Sequence, residues 1–289
     1  MPELPEVETI RRDLIERIVG KKIQKVEIKN NKVVKNTPAV FACQMTGNAV
    51  VDIDRVGKLL IVHLREGDER LLIHLKMTGR LIYRQGEDLV AGGHSLTSAN
   101  EIENGKHTHV IWHFGSGVTL EFEDMRRFGY VKLVSKVEAE RIRSTFGIEP
   151  LTPQFTLENF VAVFGKRTTS VKAVLLNQSL LAGIGNIYAD EICFVAGVHP
   201  ETPANQLSPK MLQRLYVASQ EIIAEAIEHR GTTFYSYLDG QGQRGSYFER
   251  LRVYSRDGQP CLVCGSVLGK MRVAGRGTHF CPKCQKGRY

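Results

Sequence analysis

The 289-residue sequence predicts an α+β protein of several domains. Three observations carry this: short apolar segments from Lys22 to about Val134, helical spacing from about Lys136 to His229, and a cysteine-rich end with no long helix. The expected division is therefore 1–134, mostly β; 135–240, helical; and 241–289, a small module. With 42% hydrophobic and 24% charged residues, the chain has the composition of soluble globular domains. No apolar run approaches the roughly 18 residues a membrane helix needs. The acidic N-terminus lacks the basic-then-apolar order of a secretory signal, so a cytoplasmic protein without membrane association is expected.

The chain opens MPELPEVET. Pro5 suits a first helical turn, Glu6 and Glu8 favour the positive end of the helix dipole, and Val7, Ile10, Leu14 and Ile18 follow at helical spacing, with Gly20 as the stop. Pro2 and Glu3 are left over, so the stretch is either a helix cap or a reaction centre. Beyond it, Val118, Leu120 and Phe122 alternate with polar residues in GVTLEFED, while KLLIVHL and RLLIHLKM are short apolar runs between turns. Many short strands without intervening helices predict an antiparallel sandwich or barrel. The Gly-, Ser- and Asn-rich stretch from Gln85 to Lys106 reads as a long surface loop. Helical patterns follow in KVEAERIRSTF, TLENFVAVFGK, SVKAVLLNQSLL and SPKMLQRLYVASQEIIAEAIEH, with Pro150 and Pro153 marking a linker.

The net charge of +8 is concentrated at one end. From Gly242 to Tyr289 there are ten lysines and arginines against Glu249 and Asp257, and the remaining residues balance. Such a segment is either a polyanion-binding end, most simply for nucleic acid, or solvated surface. The same segment holds Cys261-x2-Cys264 and Cys281-x2-Cys284, sixteen residues apart. Two such knuckles supply four thiolates for one structural zinc ion; disulfides are disfavoured in a reducing cytosol, and a redox pair would need a βαβ setting. With four protein ligands the metal holds a fold and leaves no position open for chemistry. Between the knuckles, Val267 and Val273 suit a β-hairpin that turns Lys270, Arg272 and Arg276 outward towards phosphates. Cys43 and Cys193 read as core thiols.

In LLNQSLLAGIGNIYADEICF two helical patterns meet at Gly183-Ile184-Gly185-Asn186. A dinucleotide fingerprint needs a third glycine and a preceding strand, and both are missing. The alternatives are a helix-turn-helix-like element that presents backbone N–H groups and Asn186 to a phosphate, or a glycine-closed helical hairpin with no ligand.

MPELPEVET, DMRRFG, LLNQSLLAGIGNIYADE, the stretch from His229 to Cys261 and the paired CxxC end, in this order, resemble the bacterial formamidopyrimidine-DNA glycosylase family. The resemblance covers the whole chain. It implies an N-terminal antiparallel β-sandwich with an N-terminal helix, a helix-two-turns-helix domain and a C-terminal zinc-finger β-hairpin held by four cysteines, acting on double-stranded DNA as a monomer. It further implies that Met1 is removed and that the secondary amine of Pro2 attacks the sugar carbon carrying a damaged base. A terminal amine with a pKa near ~8 is partly unprotonated at neutral pH, unlike an exposed lysine near ~10.4. By the same resemblance Glu3 is the acid/base, Glu6 orients the site and Lys58 holds a phosphate beside the lesion. Met77, Arg126 and Phe128 fill the space of an everted base. Lys172, Asn186 and Arg276 grip phosphates, and a loop from about Phe234 to Tyr247 covers the lesion. The expected activity is excision of oxidised purines, 8-oxoguanine and formamidopyrimidines, followed by β,δ-elimination at the abasic site. Met125 replaces the family's proline before the paired arginines. Endonuclease VIII, a sister enzyme for oxidised pyrimidines, is the nearest alternative, but it has glycine where Leu4 stands here. A zinc protein that binds DNA without cutting it is the alternative from another class, and it leaves Pro2 and Lys58 without a role.

Overall fold

The computed structural model describes residues 1–93, 105–232 and 246–286. They form two compact units, residues 1–144 with 229–248, and residues 145–228 with 249–289. The second therefore takes both the helical segment and the cysteine module, while the strip after His229 returns to the first.

In the first unit α1 spans Leu4–Ile18, with a proline in its opening turn, and Gly20 beyond its end takes a positive φ of 83°. Two antiparallel sheets follow. One combines β1 (Ile23–Ile28), β5 (Gly79–Gln85), β6 (Asp88–Gly93), β7 (Thr108–Phe114) and β8 (Val118–Asp124) in the order β1-β7-β8-β5-β6. The other runs β2 (Val50–Val56), β3 (Leu59–Leu64), β4 (Glu69–His74) and β9 (Tyr130–Ser135) in sequence order. Alternate residues of these strands enter one core with Val7, Ile10 and Leu14 of α1, including Ile53, Leu60, Ile73, Leu81, Trp112, Leu120 and Phe122. The sandwich is as expected. Three details differ from the sequence reading. A helix α2 (Pro38–Met45) interrupts the strands, opened by Pro38 in its first turn and burying Phe41 and Met45; two turns are too short to show a helical period. Within the expected 85–106 loop, β6 pairs with β5 from Gln85↔Asp88 to Arg80↔Gly93, and the remainder of that stretch, 94–104, lies outside the described residues. Cys43, expected in the core, is exposed on the outer side of α2.

α3 (Lys136–Arg143) closes the first unit's sequence. In the second unit come α4 (Leu157–Phe164), α5 (Val171–Leu176), α6 (Asn186–Val195) and the long α7 (Pro209–Glu228). The rings of Phe155, Phe160, Phe164 and Tyr216 pack with centroids 4.9–5.7 Å apart and seat α4 against α7. α5 ends sooner than its apolar pattern suggests, because Asn177 breaks into the first of two turns leading to α6. Gly147 runs alongside those turns and its N–H bonds the Gln178 carbonyl at 3.0 Å. A hairpin of β10 (Gly269–Val273) and β11 (Arg276–Phe280) ends the unit.

A Cβ on Gly147 would lie 2.1 Å from the Leu180 carbonyl oxygen, a backbone atom that cannot swing aside. Gly147→Ala is expected to lower stability by about 1–3 kcal/mol through overpacking, read from the urea midpoint of unfolding. An unchanged midpoint would show that the turns can move.

Candidate active site and nucleic-acid-facing surfaces

The opening residues are folded around their carboxylates. Pro2 and Glu3 are buried, and Glu3 stands at the N-cap of α1 in an extended conformation. Glu6 closes the cap, its Oε2 accepting the Glu3 N–H at 2.8 Å. The other oxygen, Oε1, accepts from the Thr232 N–H at 2.8 Å and the Thr232 hydroxyl at 3.0 Å. This approach needs Gly231, whose φ is 83° and whose Cβ, were there one, would lie 2.6 Å from Oε1. Glu6 thus ties the residues that would carry the chemistry to the strip entering the expected lesion loop, whose residues 233–245 lie outside the described ones. The cap and the candidate reaction centre are one arrangement.

Lys58 occupies the two-residue turn between β2 and β3, after Gly57 with φ 55°. It is 6% exposed, whereas an ordinary turn lysine faces water. His74, at the end of β4, accepts the Lys76 N–H on Nδ1 at 3.0 Å. Burial, and then the charges of Lys76 and Lys58, push the His74 imidazole down to about 3, so the ring is neutral and this hydrogen bond is available at neutral pH.

Met77 and the Arg126–Phe128 pair sit on two turns joined by a buried carboxylate. Asp124, 1% exposed, accepts the Arg126 N–H at 3.1 Å and the Gly129 N–H at 2.6 Å, and the Thr78 hydroxyl hydrogen-bonds its Oδ1. Thr78 in turn accepts the Arg126 N–H at 3.0 Å. Lys76 and Arg127 both hold left-handed backbone, with φ of 51° and 57°, a strain that fixed hydrogen bonds must sustain. Phe128 is 54% exposed, and the Arg126 guanidinium lies 4.6 Å from its ring centroid. Met77 is half-buried. An exposed aromatic with a stacked arginine on a rigid turn is a wedge shape. The turn forms with Met125 at the position where the family has proline.

In the second unit the two turns before α6 are organised by Gln178, whose side chain accepts the Gly183 N–H at 3.0 Å and donates to the Ile184 carbonyl at 2.8 Å. Gly183 takes φ 90°. Asn186 opens α6 and donates to the Gly277 carbonyl at 3.0 Å, which brings it to the tip of the β10–β11 hairpin. That tip is a two-residue turn, Ala274-Gly275, with φ of 49° and 73°, the primed geometry that matches strand twist. Lys270, Arg272 and Arg276 are exposed, as the sequence suggests, but Val267 is 63% exposed and lies before the strands.

Lys172 is a correction to the sequence reading. It is fully buried, with its ammonium 2.6 Å from Asp190 Oδ1, 2.7 Å from the Thr278 hydroxyl and 3.1 Å from the Gly277 carbonyl. An ammonium with three partners and no exposed surface cannot grip a phosphate; it holds the hairpin tip on α6 instead. Asp190 also accepts the His279 N–H at 2.9 Å, and the neighbouring Glu191 accepts three backbone N–H groups, from Arg252, Val253 and Tyr254, at 2.9 Å each. Burial raises the Glu191 carboxyl, partly offset by those three donors.

The sulfurs of Cys261, Cys264, Cys281 and Cys284 lie within 4.8 Å of one another. Two of the separations are 3.9 and 3.5 Å, far beyond a disulfide bond and close to the edge of a tetrahedron with Zn–S near ~2.3 Å. The Val263 and Cys284 N–H groups point at the sulfurs of Cys261 and Cys281, at 3.5 and 3.4 Å, as in a knuckle. Contacts from the Ser266 hydroxyl and backbone lower the Cys264 thiol to about 6, whereas burial raises those of Cys281 and Cys284, so the case for a metal rests on the placement of the four sulfurs. These residues fit one structural zinc ion. Cys193 is fully buried, and burial pushes its thiol up.

Three sequence families match along the chain: the formamidopyrimidine-DNA glycosylase N-terminal domain over residues 1–131, the formamidopyrimidine-DNA glycosylase H2TH domain over 146–237, and the zinc finger found in FPG and IleRS over 258–287. The formamidopyrimidine-DNA glycosylases of Listeria innocua and Heliobacterium modesticaldum are each 41% identical, over 99% of this chain and 100% of theirs. The chain belongs to the formamidopyrimidine-DNA glycosylase family. Solved structures agree: a complex of Lactococcus lactis Fpg with DNA containing an abasic site is 36% identical over 99% of this chain and 100% of its own, with a TM-score of 0.84. A complex of the same protein with DNA containing N7-benzyl-Fapy-dG covers as much and has a TM-score of 0.85. As a member of this glycosylase/AP lyase family, the protein is a DNA repair enzyme with a structural zinc finger.

Within the family frame, Asp124, Thr78, Gln178 and Glu191 are residues that sequence reasoning did not single out. Asp124, Gln178 and Glu191 bond mainly to backbone groups of a nearby turn, and Thr78 bonds Asp124 and the Arg126 N–H; a turn rich in glycine or arginine is the one signal that such an acceptor is needed.

The neutral ring of His74 has a measurable signature: its imidazole should show no titration between pH 8 and 5 by NMR. Because its folded value lies below the unfolded one near ~6.5, its neutral form contributes stability above that pH, and the contribution fades as pH falls towards about 3. A normal titration near 6.5 would place the ring in water. Removal of zinc, worth about 10–16 kcal/mol in isolated fingers, should unfold the hairpin and raise the Kd for duplex DNA steeply, with one zinc released per chain; retained affinity would separate the hairpin from binding.

Proposed function

We propose that this family member is a bifunctional glycosylase and AP lyase that excises oxidised purines, 8-oxoguanine opposite cytosine and ring-opened formamidopyrimidines, working as a monomer on duplex DNA in the cytoplasm. The observation that supports it most is the burial of Pro2 together with two carboxylates, Glu3 and Glu6, at a helix start that is itself tied to Thr232. Once Met1 is removed, the secondary amine of Pro2 attacks C1′ of the damaged nucleotide. The C1′–N bond to the base breaks and its electron pair leaves with the base, which takes up the proton given up by the Pro2 nitrogen, and Glu3 protonates the sugar oxygen as the ring opens. The product is an iminium between Pro2 and C1′. This acidifies the C2′ hydrogen; loss of that proton expels the 3′ phosphate, and a second elimination expels the 5′ phosphate. Lys58 holds a phosphate beside the lesion, Met77, Arg126 and Phe128 occupy the vacated stack, and Asn186 and Arg276 take further phosphates.

A second substrate class is favoured by one specific observation. A Lactococcus lactis Fpg structure 36% identical to this chain holds DNA containing an oxidised pyrimidine. Thymine glycol is therefore assayed beside 8-oxoguanine.

The deciding experiment is borohydride trapping on a duplex carrying 8-oxoguanine opposite cytosine, with the adduct located by peptide mass spectrometry. An adduct on Pro2 of a chain lacking Met1 is the expected result. A tightly bound, Met1-free protein that yields neither adduct nor cut strand would overturn the catalytic reading in favour of binding alone; faster release of thymine glycol would overturn the purine preference.

A further inference from the structure

The proposed chemistry leaves one buried carboxylate at the N-terminus unused. Glu8, whose side chain is 7% exposed, accepts four charge-assisted hydrogen bonds: Arg11 Nε and Nη2 at 2.9 Å each, and Arg12 Nε and Arg55 Nε at 2.8 Å each. Arg11 and Arg12 belong to the same helix as Glu8, but Arg55 comes from β2. The Arg55 fork has a second grip, Nη1 donating to the Gly57 carbonyl at 3.3 Å, and Arg11 sends its own Nη1 to the Ile53 carbonyl at 3.2 Å. Gly57 is the residue before Lys58. We propose that Glu8 and Arg55 are positioning residues: a two-ended arginine clamp that sets the Lys58 turn in register with the Pro2–Glu3 end of α1.

The alternative is a plain staple between helix and sheet. α1 already buries Val7, Ile10 and Leu14 in the core, so attachment does not require the clamp. A staple could also end anywhere on β2, whereas this one ends at the carbonyl that leads into Lys58. The arginine fork matters because a lysine at position 55 could keep the charge near Glu8 but could not reach Glu8 and the Gly57 carbonyl together. Lys58, at 6% exposure, has little room to correct an error in the turn by moving its own stem.

This inference rests on the proposed role of Lys58 in catalysis, and the test separates the two. Arg55→Lys, Glu8→Gln, Lys58→Ala and the Arg55→Lys/Lys58→Ala double variant are compared in single-turnover excision of 8-oxoguanine and in adduct yield. Arg55→Lys is expected to slow excision by about tenfold, the scale of sub-ångström misplacement of a positioned group, and to add no loss in the Lys58→Ala background. Losses that multiply in the double variant, or a wild-type rate in Arg55→Lys, would overturn the proposal. A DNA-free readout stands beside the kinetics: competitive acetylation of the folded protein, read by mass spectrometry. Lys58 should label several-fold faster in Arg55→Lys and Glu8→Gln than in the wild type, while exposed Lys210 in the second unit is unchanged. Unaltered Lys58 labelling in both variants would overturn the clamp whatever the kinetics show. If the labelling shifts as expected but the wild type never cuts DNA, the proposed function falls and the clamp stands.

Discussion

Burying a carboxylate obliges the chain to bring donors to it, and the first unit is arranged around that obligation. Glu6 draws the Glu3 N–H from one side and Thr232 from the other, so residues separated by most of the chain meet at one side chain. Glu8 draws arginines from two elements. Asp124 draws two backbone N–H groups and the Thr78 hydroxyl. For Glu6 and Asp124 most of the donors are backbone N–H groups, so the carboxylate fixes geometry as well as satisfying charge. The apolar core between the sheets supplies the driving force for folding, but it does not specify where Pro2, Lys58 and the Arg126 turn lie to within a bond length. The acids do.

The second unit solves a related problem with a smaller core. Its hairpin rests on Phe194, Val253 and Leu268 and the buried cysteines, too little apolar area to hold a strand pair alone. Zinc closes one end. Lys172, Asp190 and Thr278 lock the other, and Glu191 takes the backbone that leads in. A buried ion pair is seldom worth its desolvation as a source of stability, but it is strict about alignment. Here it aligns the Asn186 amide with the carbonyl at the hairpin tip, one residue from Arg276.

Much of the fold was legible because its signals are periodic or punctuated. The stripe Val7, Ile10, Leu14 announces α1, the alternation around Leu120 announces β8, and the CxxC spacing announces the metal cluster. What escaped had no period to show. α2 is two turns long, and β6 ends in glycines that look like loop, so tertiary pairing with β5 decides both its existence and its register. The candidate site divides in the same way. Pro2 and Glu3 stand out by position and the cysteines by spacing, while Glu6 reads as an ordinary helix-start acid and takes a site role only through the family resemblance. Lys172 was misassigned because sequence cannot distinguish a lysine that faces solvent from one swallowed by an aspartate in the following helix. Asp124 and Gln178 went unnoticed because their partners are mostly backbone atoms, which carry no letter in the sequence.

The placement of the six cysteines has a practical side. Four are committed to one metal, Cys193 is sealed in the second unit with its thiol proton held tightly, and Cys43 alone stands exposed, on the outer side of α2. The loaded protein thus offers a thiol-reactive dye a single address in the first unit, and the appearance of further addresses reports the finger falling open. A repair enzyme built this way carries its own attachment point for a fluorophore and its own gauge of metal content.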